Sequence, residues 1–205
     1  MKKCLIVIIS FLCAGEMFSQ KDSYFPQVFF DKKQAESQLG YGKSTIEGVA
    51  FTREKRNVPL TMGMVKAKMG KKHVARPNTV IMLFPVNEYF TEFYNLRRKI
   101  ESSKKQVLMS KEAFAVRREA YTDDYGRFKF ENLKVGKYYI ETIVDFTAVG
   151  SYKKQTGTST AYNVYGTPLY STPIYETFFY DYEDSHRESK FVEVKKDGQV
   201  IEIKL

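Results

Sequence analysis

Few residues in this chain have the type and spacing to do chemistry. Its two histidines, His73 and His186, belong to neither an H-x-x-E nor an H-E-x-x-H pair. The spacing that gathers imidazoles and a carboxylate around zinc is therefore missing. His186 lies in Asp181-Tyr-Glu-Asp-Ser-His-Arg-Glu188, whose oxygens are of the kind that hold calcium or, with the imidazole, another divalent ion. The same run reads equally as a solvated acidic segment, so no metal ligand is assigned. Glu183 and Asp184 are adjacent, which on a strand sends them to opposite faces instead of across one glycosidic bond. No G-x-S-x-G elbow occurs, and both cysteines, Cys4 and Cys13, fall in the first twenty residues. Gly42-Lys43-Ser44-Thr45 matches the end of a phosphate-binding loop, but Ser37 stands where its first glycine is needed, and the segment leads into strand-like sequence. The expectation is a chain without enzymatic activity, cofactor or metal.

Two other groups of residues point to binding. Seven of the 15 tyrosines fall between Gly150 and Tyr182, in a stretch also rich in Ser, Thr and Gly. Tyrosine offers rigid amphipathic area at low entropic cost, and small polar neighbours make such a segment adaptable. Tyr152, Tyr162, Tyr165 and Tyr170 are the candidate partner-binding residues; the bland alternative is a hairpin whose tyrosines cover a sheet edge. The second group is basic: Lys66, Lys68, Lys71, Lys72 and Arg76 are the candidate anion-binding set, with Arg97, Arg98, Lys99, Lys104 and Lys105 beside them on a helix, against the reading of a solvated charged face.

The elements that must position these residues are clearest over 122–140. Asp123 and Asp124 can bond their own backbone, and Gly126 can take the positive φ of a tight turn. Phe128 and Phe130 then alternate with Arg127 and Lys129, the period of a half-buried strand. Leu133 plugs a corner, Gly136 allows a second reversal, and Tyr138, Ile140, Thr142 and Val144 share one face of the next strand. Thr122, Asp123, Gly126, Phe128, Phe130, Leu133, Gly136, Tyr138 and Ile140 together resemble the pattern of the carboxypeptidase regulatory-like domain. Ile46-Glu-Gly-Val49 and Val74 to Leu83 resemble its first two strands, with Pro77 and Asn78 in place of the usual Gly-Ala pair. The resemblance implies a transthyretin-like antiparallel β-sandwich, an accessory role beside enzymes or in outer-membrane receptors, and kinship with carbohydrate-binding sandwiches. The motif residues are structural in that family, and the zinc chemistry of the peptidases that carry the module is not implied.

Around this unit the sequence predicts a mainly β fold over 45–205, with a strand from Thr45 to Thr52 and insertions at about 53–72, 87–113 and 147–174. Asn87 caps a helix from Glu88 to about Lys105, with Tyr89, Phe93, Leu96 and Ile100 on its apolar stripe. Phe114 to Tyr121 reads as a strand. The 147–174 insertion reads as a long Tyr-rich hairpin loop, and Asp197-Gly198 as a tight hairpin between the last two strands. Residues 20–44 form an N-terminal arm.

Residues 1–19 read as a Sec signal peptide: Lys2 and Lys3, then an apolar run from Leu5 to Leu12 that is too short for an ordinary membrane-spanning helix. Removing Lys2, Lys3 and Glu16 with it lowers the formal charge from +9 to +8. An exported basic protein does not meet nucleic acid in its compartment, so its expected partners are an envelope protein or glycan, with peripheral association to the outer membrane an option. The function expected is non-enzymatic binding or assembly at a bacterial cell envelope, periplasmic, outer-membrane associated or extracellular. A protein partner is preferred and carbohydrate binding is the alternative, with an unrecognised hydrolase behind both.

Overall fold

The computed structural model describes residues 21–60 and 63–205, with the side chains of 56–69 outside the described set. The expected signal peptide lies outside the described residues. In chain order the elements are β1 (Asp22–Tyr24), α1 (Lys32–Gln38), β2 (Ser44–Val49), β3 (Phe51–Leu60), β4 (Gly63–Val74), β5 (Val80–Pro85), α2 (Glu88–Ile100), β6 (Lys105–Val107), α3 (Lys111–Ala115), β7 (Arg118–Tyr121), β8 (Arg127–Leu133), β9 (Gly136–Tyr162), β10 (Pro168–Val194) and β11 (Val200–Lys204). Two sheets form the body: one ordered β10-β9-β5-β7, the other β11-β2-β8.

The core lies between these sheets because strand alternation aims apolar residues of both inward. Ile46, Phe128, Phe130 and Ile203 from the smaller sheet meet Ile81, Leu83, Ile140, Val144, Val192 and Val194 from the larger. The 122–140 unit is built as its residues demand. Asp123 Oδ1 accepts from the backbone N–H groups of Tyr125 and Arg127, Gly126 takes φ 71°, and Phe128, Phe130, Leu133, Tyr138 and Ile140 are all buried. The Tyr138 hydroxyl is satisfied by donating to the Lys134 carbonyl, 2.8 Å away, which allows a phenol inside the core.

A second apolar layer seats α2 on the outer face of the larger sheet. Phe84, Phe90, Phe93, Val107 and Tyr139 cluster there, with Tyr94, Leu96 and Ile100 packed around them. The helix starts where Asn87 accepts from Phe90 N–H, but it ends at Ile100 instead of about Lys105, because Glu101 turns extended (ψ 128°) and Lys105 enters β6. The buried stripe also differs from the expected one: Phe90 and Arg97 are buried along with Tyr89 and Phe93. Arg97 is tolerated there because Glu141 lies 2.8 Å from its Nη1 and Glu101 3.1 Å from its Nε, while the Tyr139 hydroxyl donates to Glu141 and Arg187 reaches Glu101. A buried guanidinium needs such partners.

Three further expectations are corrected. Phe114 is not in a strand: Ser110 caps the short helix α3 by accepting from Ala113 N–H, and the strand begins at Arg118. Asp197-Gly198 makes its turn, with Gly198 at φ 76°, yet β11 does not return along β10. It crosses to the other sheet and pairs parallel with β2, because the turn is bonded to the start of β2 through Lys43 N–H to Asp197 and Ser44 Oγ to the Lys196 carbonyl. Finally, 147–174 is no loop. β9 and β10 each run 27 residues and pair from Gly136↔Val194 out to Tyr162↔Pro168. The connecting turn repeats the build of the Asp123 turn: Asn163 Oδ1 accepts from Tyr165 and Thr167 N–H, and Gly166 takes φ 75°. Within the expected 53–72 insertion, residues 53–60 and 63–72 belong to another ribbon, β3 pairing β4, and the described part of the N-terminal arm holds β1, which pairs parallel with β6, and α1.

Candidate functional site

Beyond the body, β9 and β10 continue as a two-stranded arm. From Gly150 to Tyr162, twelve steps at about 3.3 Å each extend it roughly 40 Å. No residue of β9 past Ala148 is buried, and every residue of β10 from Pro168 to Ser185 is exposed.

One face of the arm carries a run of aromatic rings whose placement follows from the register. Phe146 pairs with Asp184, Ala148 with Tyr182, Gly150 with Tyr180 and Tyr152 with Phe178, so all eight residues share a face. Tyr152 and Phe178 lie 5.6 Å apart between ring centroids with planes 21° from parallel, Tyr152 and Tyr180 6.2 Å apart, and Tyr180 and Tyr182 6.0 Å apart. The Tyr180 ring folds over the bare backbone of Gly150, where a Cβ would come within 2.4 Å of it. These four rings remain 37–51% exposed, large apolar surfaces that no described element covers. Cross-strand aromatic pairs stabilise such a ribbon, but single pairs need no continuous row.

The row is anchored where the arm leaves the body. Phe146 is buried between the two histidines: His73 stacks on it at 4.7 Å and His186 meets it edge-on at 4.9 Å. His73 lies 2.8 Å from Glu54. Thr52 hydroxyl bonds to His186 Nδ1 and to Glu188, so the base of β3 and β4 grips the root of the arm. On the opposite face Glu183 accepts from Thr147 (2.7 Å) and Arg76 (3.1 Å); the Thr147 hydrogen bond first, and then Arg76, hold its carboxyl below the usual carboxylate range.

The expected binding residues divide accordingly. Tyr152 joins the aromatic row, whereas Tyr162, Tyr165 and Tyr170 stand exposed around the tip turn, about 33 Å away along the strand. Of the basic set, Lys71 and Lys72 are exposed on β4, with the Lys72 ammonium over the Phe51 ring; Arg76 is tied to Glu183, and the side chains of Lys66 and Lys68 lie outside the described set. On the helix, Arg97 is buried in its ion network. The acidic segment does not converge, since 181 and 183 alternate across the strand from 184 and 186, and among the described residues no group of three His, Cys, Asp or Glu side chains is placed to hold a metal ion. Phe178, Tyr180 and Tyr182 were absent from the candidate set. Counting outward along both strands from the Asn163–Gly166 turn would have set Phe178 and Tyr180 near Tyr152.

No family model matches the chain, and no curated protein matches it. Among solved structures its fold is similar to that of a Pseudomonas aeruginosa protein described as a "putative carbohydrate binding protein", at 17% identity over 87% of this chain and 99% of that one, with a TM-score of 0.50. At that identity the likeness concerns the fold.

Proposed function

We propose that this chain is an exported, non-enzymatic recognition module of the bacterial cell envelope, and that its ligand is a glycan held by the aromatic face of the arm. The observation that carries this reading is the uncovered row of Tyr152, Phe178, Tyr180 and Tyr182. Aromatic faces carry negative charge that attracts the C–H-rich faces of sugar rings, and the tyrosine hydroxyls add hydrogen-bonding ends. A row of such rings suits a repeating chain better than a single small molecule. The motif's resemblance to carboxypeptidase regulatory-like domains, a transthyretin-like arrangement, and the name given to the structural neighbour support the same class.

A protein partner is the second reading. It is favoured by Val149, Tyr175 and Phe179 on the opposite face, 57–73% exposed, which a glycan lying on the row leaves bare. Titration of envelope polysaccharide and capture from envelope extract, each with wild type and a Tyr152→Ser, Phe178→Ser, Tyr180→Ser variant, separate the two. The glycan reading expects saturable polysaccharide binding that survives high salt and weakens at least about 100-fold in the variant. Polysaccharide binding that is absent, or equal in both proteins, overturns it; capture of a protein lost with the same variant supports the second reading.

A further inference from the structure

The outer half of the arm differs from its inner half in a way the aromatic row does not explain. In a chain with 28% charged residues, none occurs between Lys154 and Glu176. Over this stretch the arm is a ribbon of two strands, and among the described residues neither outer edge pairs with a further strand. Free edges present rows of unpaired N–H and C=O groups, and proteins ordinarily guard them with charge or proline.

The two edges are guarded unequally. On β10, Pro168 and Pro173 withhold donors, and Asp181, Glu183 and Asp184 follow toward the root. On β9, residues 155–161 contain neither a proline nor a charge; their one irregularity, the unpaired Thr156, lies at the inner end, and from Gly157 to Ala161 the strand pairs without interruption. Pro173 pairs with Thr158 and has no N–H to offer it. In an antiparallel ladder this suits a non-hydrogen-bonded pair, in which both residues turn their main-chain groups outward. Thr158, and Thr160 two residues on, then present their N–H and C=O at the unguarded edge.

We infer that the β9 edge over residues 155–161 pairs antiparallel with the same edge of a second copy of this chain, joining two arms into a four-stranded sheet about a two-fold axis. The charge pattern selects this occupant. An axis near Thr158 sets Lys153 and Lys154 against the partner's Asn163 and the partner's Tyr162, so the arm's lysines do not oppose each other, as like charges directly opposite would. A self-complementary, uncharged edge meets the requirement of an isologous interface. The pairing uses the distal edge and leaves the proximal aromatic row open, so it stands or falls separately from glycan binding.

The test is sedimentation of the full chain across a concentration series, with hydrogen exchange of β9 at the two ends of that series. The expected result is a reversible dimer, with Thr158 and Thr160 amides protected at high concentration and exchanging freely when dilute. Thr158→Pro removes an outward N–H from each copy and should weaken the dimer about 30-fold, with the far-ultraviolet spectrum unchanged and the melting temperature of the dilute, monomeric protein unchanged. Ser171→Pro, on the opposite edge, should leave the dimer as it is. A chain that is monomeric throughout, a dimer indifferent to Thr158→Pro, or a dimer weakened equally by both substitutions would overturn the inference.

Discussion

The inner and outer halves of β9 are one strand under two different constraints. From Thr142 to Ala148 burial alternates strictly, and each inward residue has a partner in the core or at the root of the arm. Beyond Ala148 the antiparallel pairing runs on to Tyr162, with register shifts that leave Thr156 and Leu169 without a cross-strand partner, yet no described residue covers either face. The comparison separates two sources of strand formation. In the body, hydrophobic burial fixes which residue faces inward, and slipping the register by one would expose Phe146 and Val144. In the arm, local propensity, cross-strand ring pairs and the Asn163 turn hold the register, so its sequence is free to answer to something outside the chain.

If that division is right, the largest effects belong to the body. Phe130→Ala removes a buried ring between the sheets and should destabilise the protein by about 3–5 kcal/mol, read as a lowered midpoint in urea unfolding. A loss under about 1 kcal/mol would mean that the core tolerates a hole there and that the body is less tightly determined than the comparison requires.

Next is the ion network under α2. Glu141→Ala leaves the Arg97 guanidinium buried without its closest carboxylate, at a cost of roughly 3 kcal/mol. Glu141→Ala combined with Arg97→Leu should recover part of that loss, because the penalty comes from an uncompensated charge. Equal stability of the single and double variants would place the cost elsewhere.

A smaller effect follows from the buried phenols. Burial first, and then the charge of Glu141, push Tyr139 well above the ordinary tyrosine range; burial pushes Tyr138 up as well. A pKa raised in the folded state means that stability is fully present below the unfolded value near 10 and is lost as pH rises through the folded one. Alkaline unfolding should therefore set in only above pH about 10, as Tyr138 and Tyr139 are forced to ionise. Tyr139→Phe should lessen this alkaline sensitivity. An alkaline unfolding midpoint that Tyr139→Phe leaves unmoved would contradict it.

How much of this was legible depended on whether a residue's role is set locally. The Asp123 turn, the alternation of Phe128 and Phe130 and the corner at Leu133 could be read because turn chemistry and a two-residue period act over a few positions. The burial of Arg97 could not, since its licence is Glu141, 44 positions away. Nor could the crossover after Gly198, where the turn residues were right but the sheet they led to is chosen by bonds from Lys43 and Ser44. In the arm, composition pointed to binding, but it also suggested a loop: Ser, Thr, Gly and Tyr serve loops and exposed strands equally well. What was missed was the pairing, which sets Tyr152 beside Phe178 instead of beside Tyr162.

The smallest expected effect is the most telling for the comparison. Replacing residues 155–175 with Asn-Gly deletes the uncharged outer arm while a two-residue turn rejoins Lys154 to Glu176, which already pair across the ribbon. Every residue of β10 removed in this way is exposed, and the β9 residues are exposed or half-exposed, so little apolar surface returns to water and the core is untouched. The change in unfolding free energy should stay within about 0.5 kcal/mol, as for surface changes away from buried features. Tyr152, Phe178, Tyr180 and Tyr182 all survive the deletion, so binding on the aromatic row should persist at near wild-type strength. A large loss of stability would mean that the outer arm contributes to the fold of the body after all; intact stability with lost binding would move the recognition surface from the row to the tip, where Tyr162, Tyr165 and Tyr170 stand.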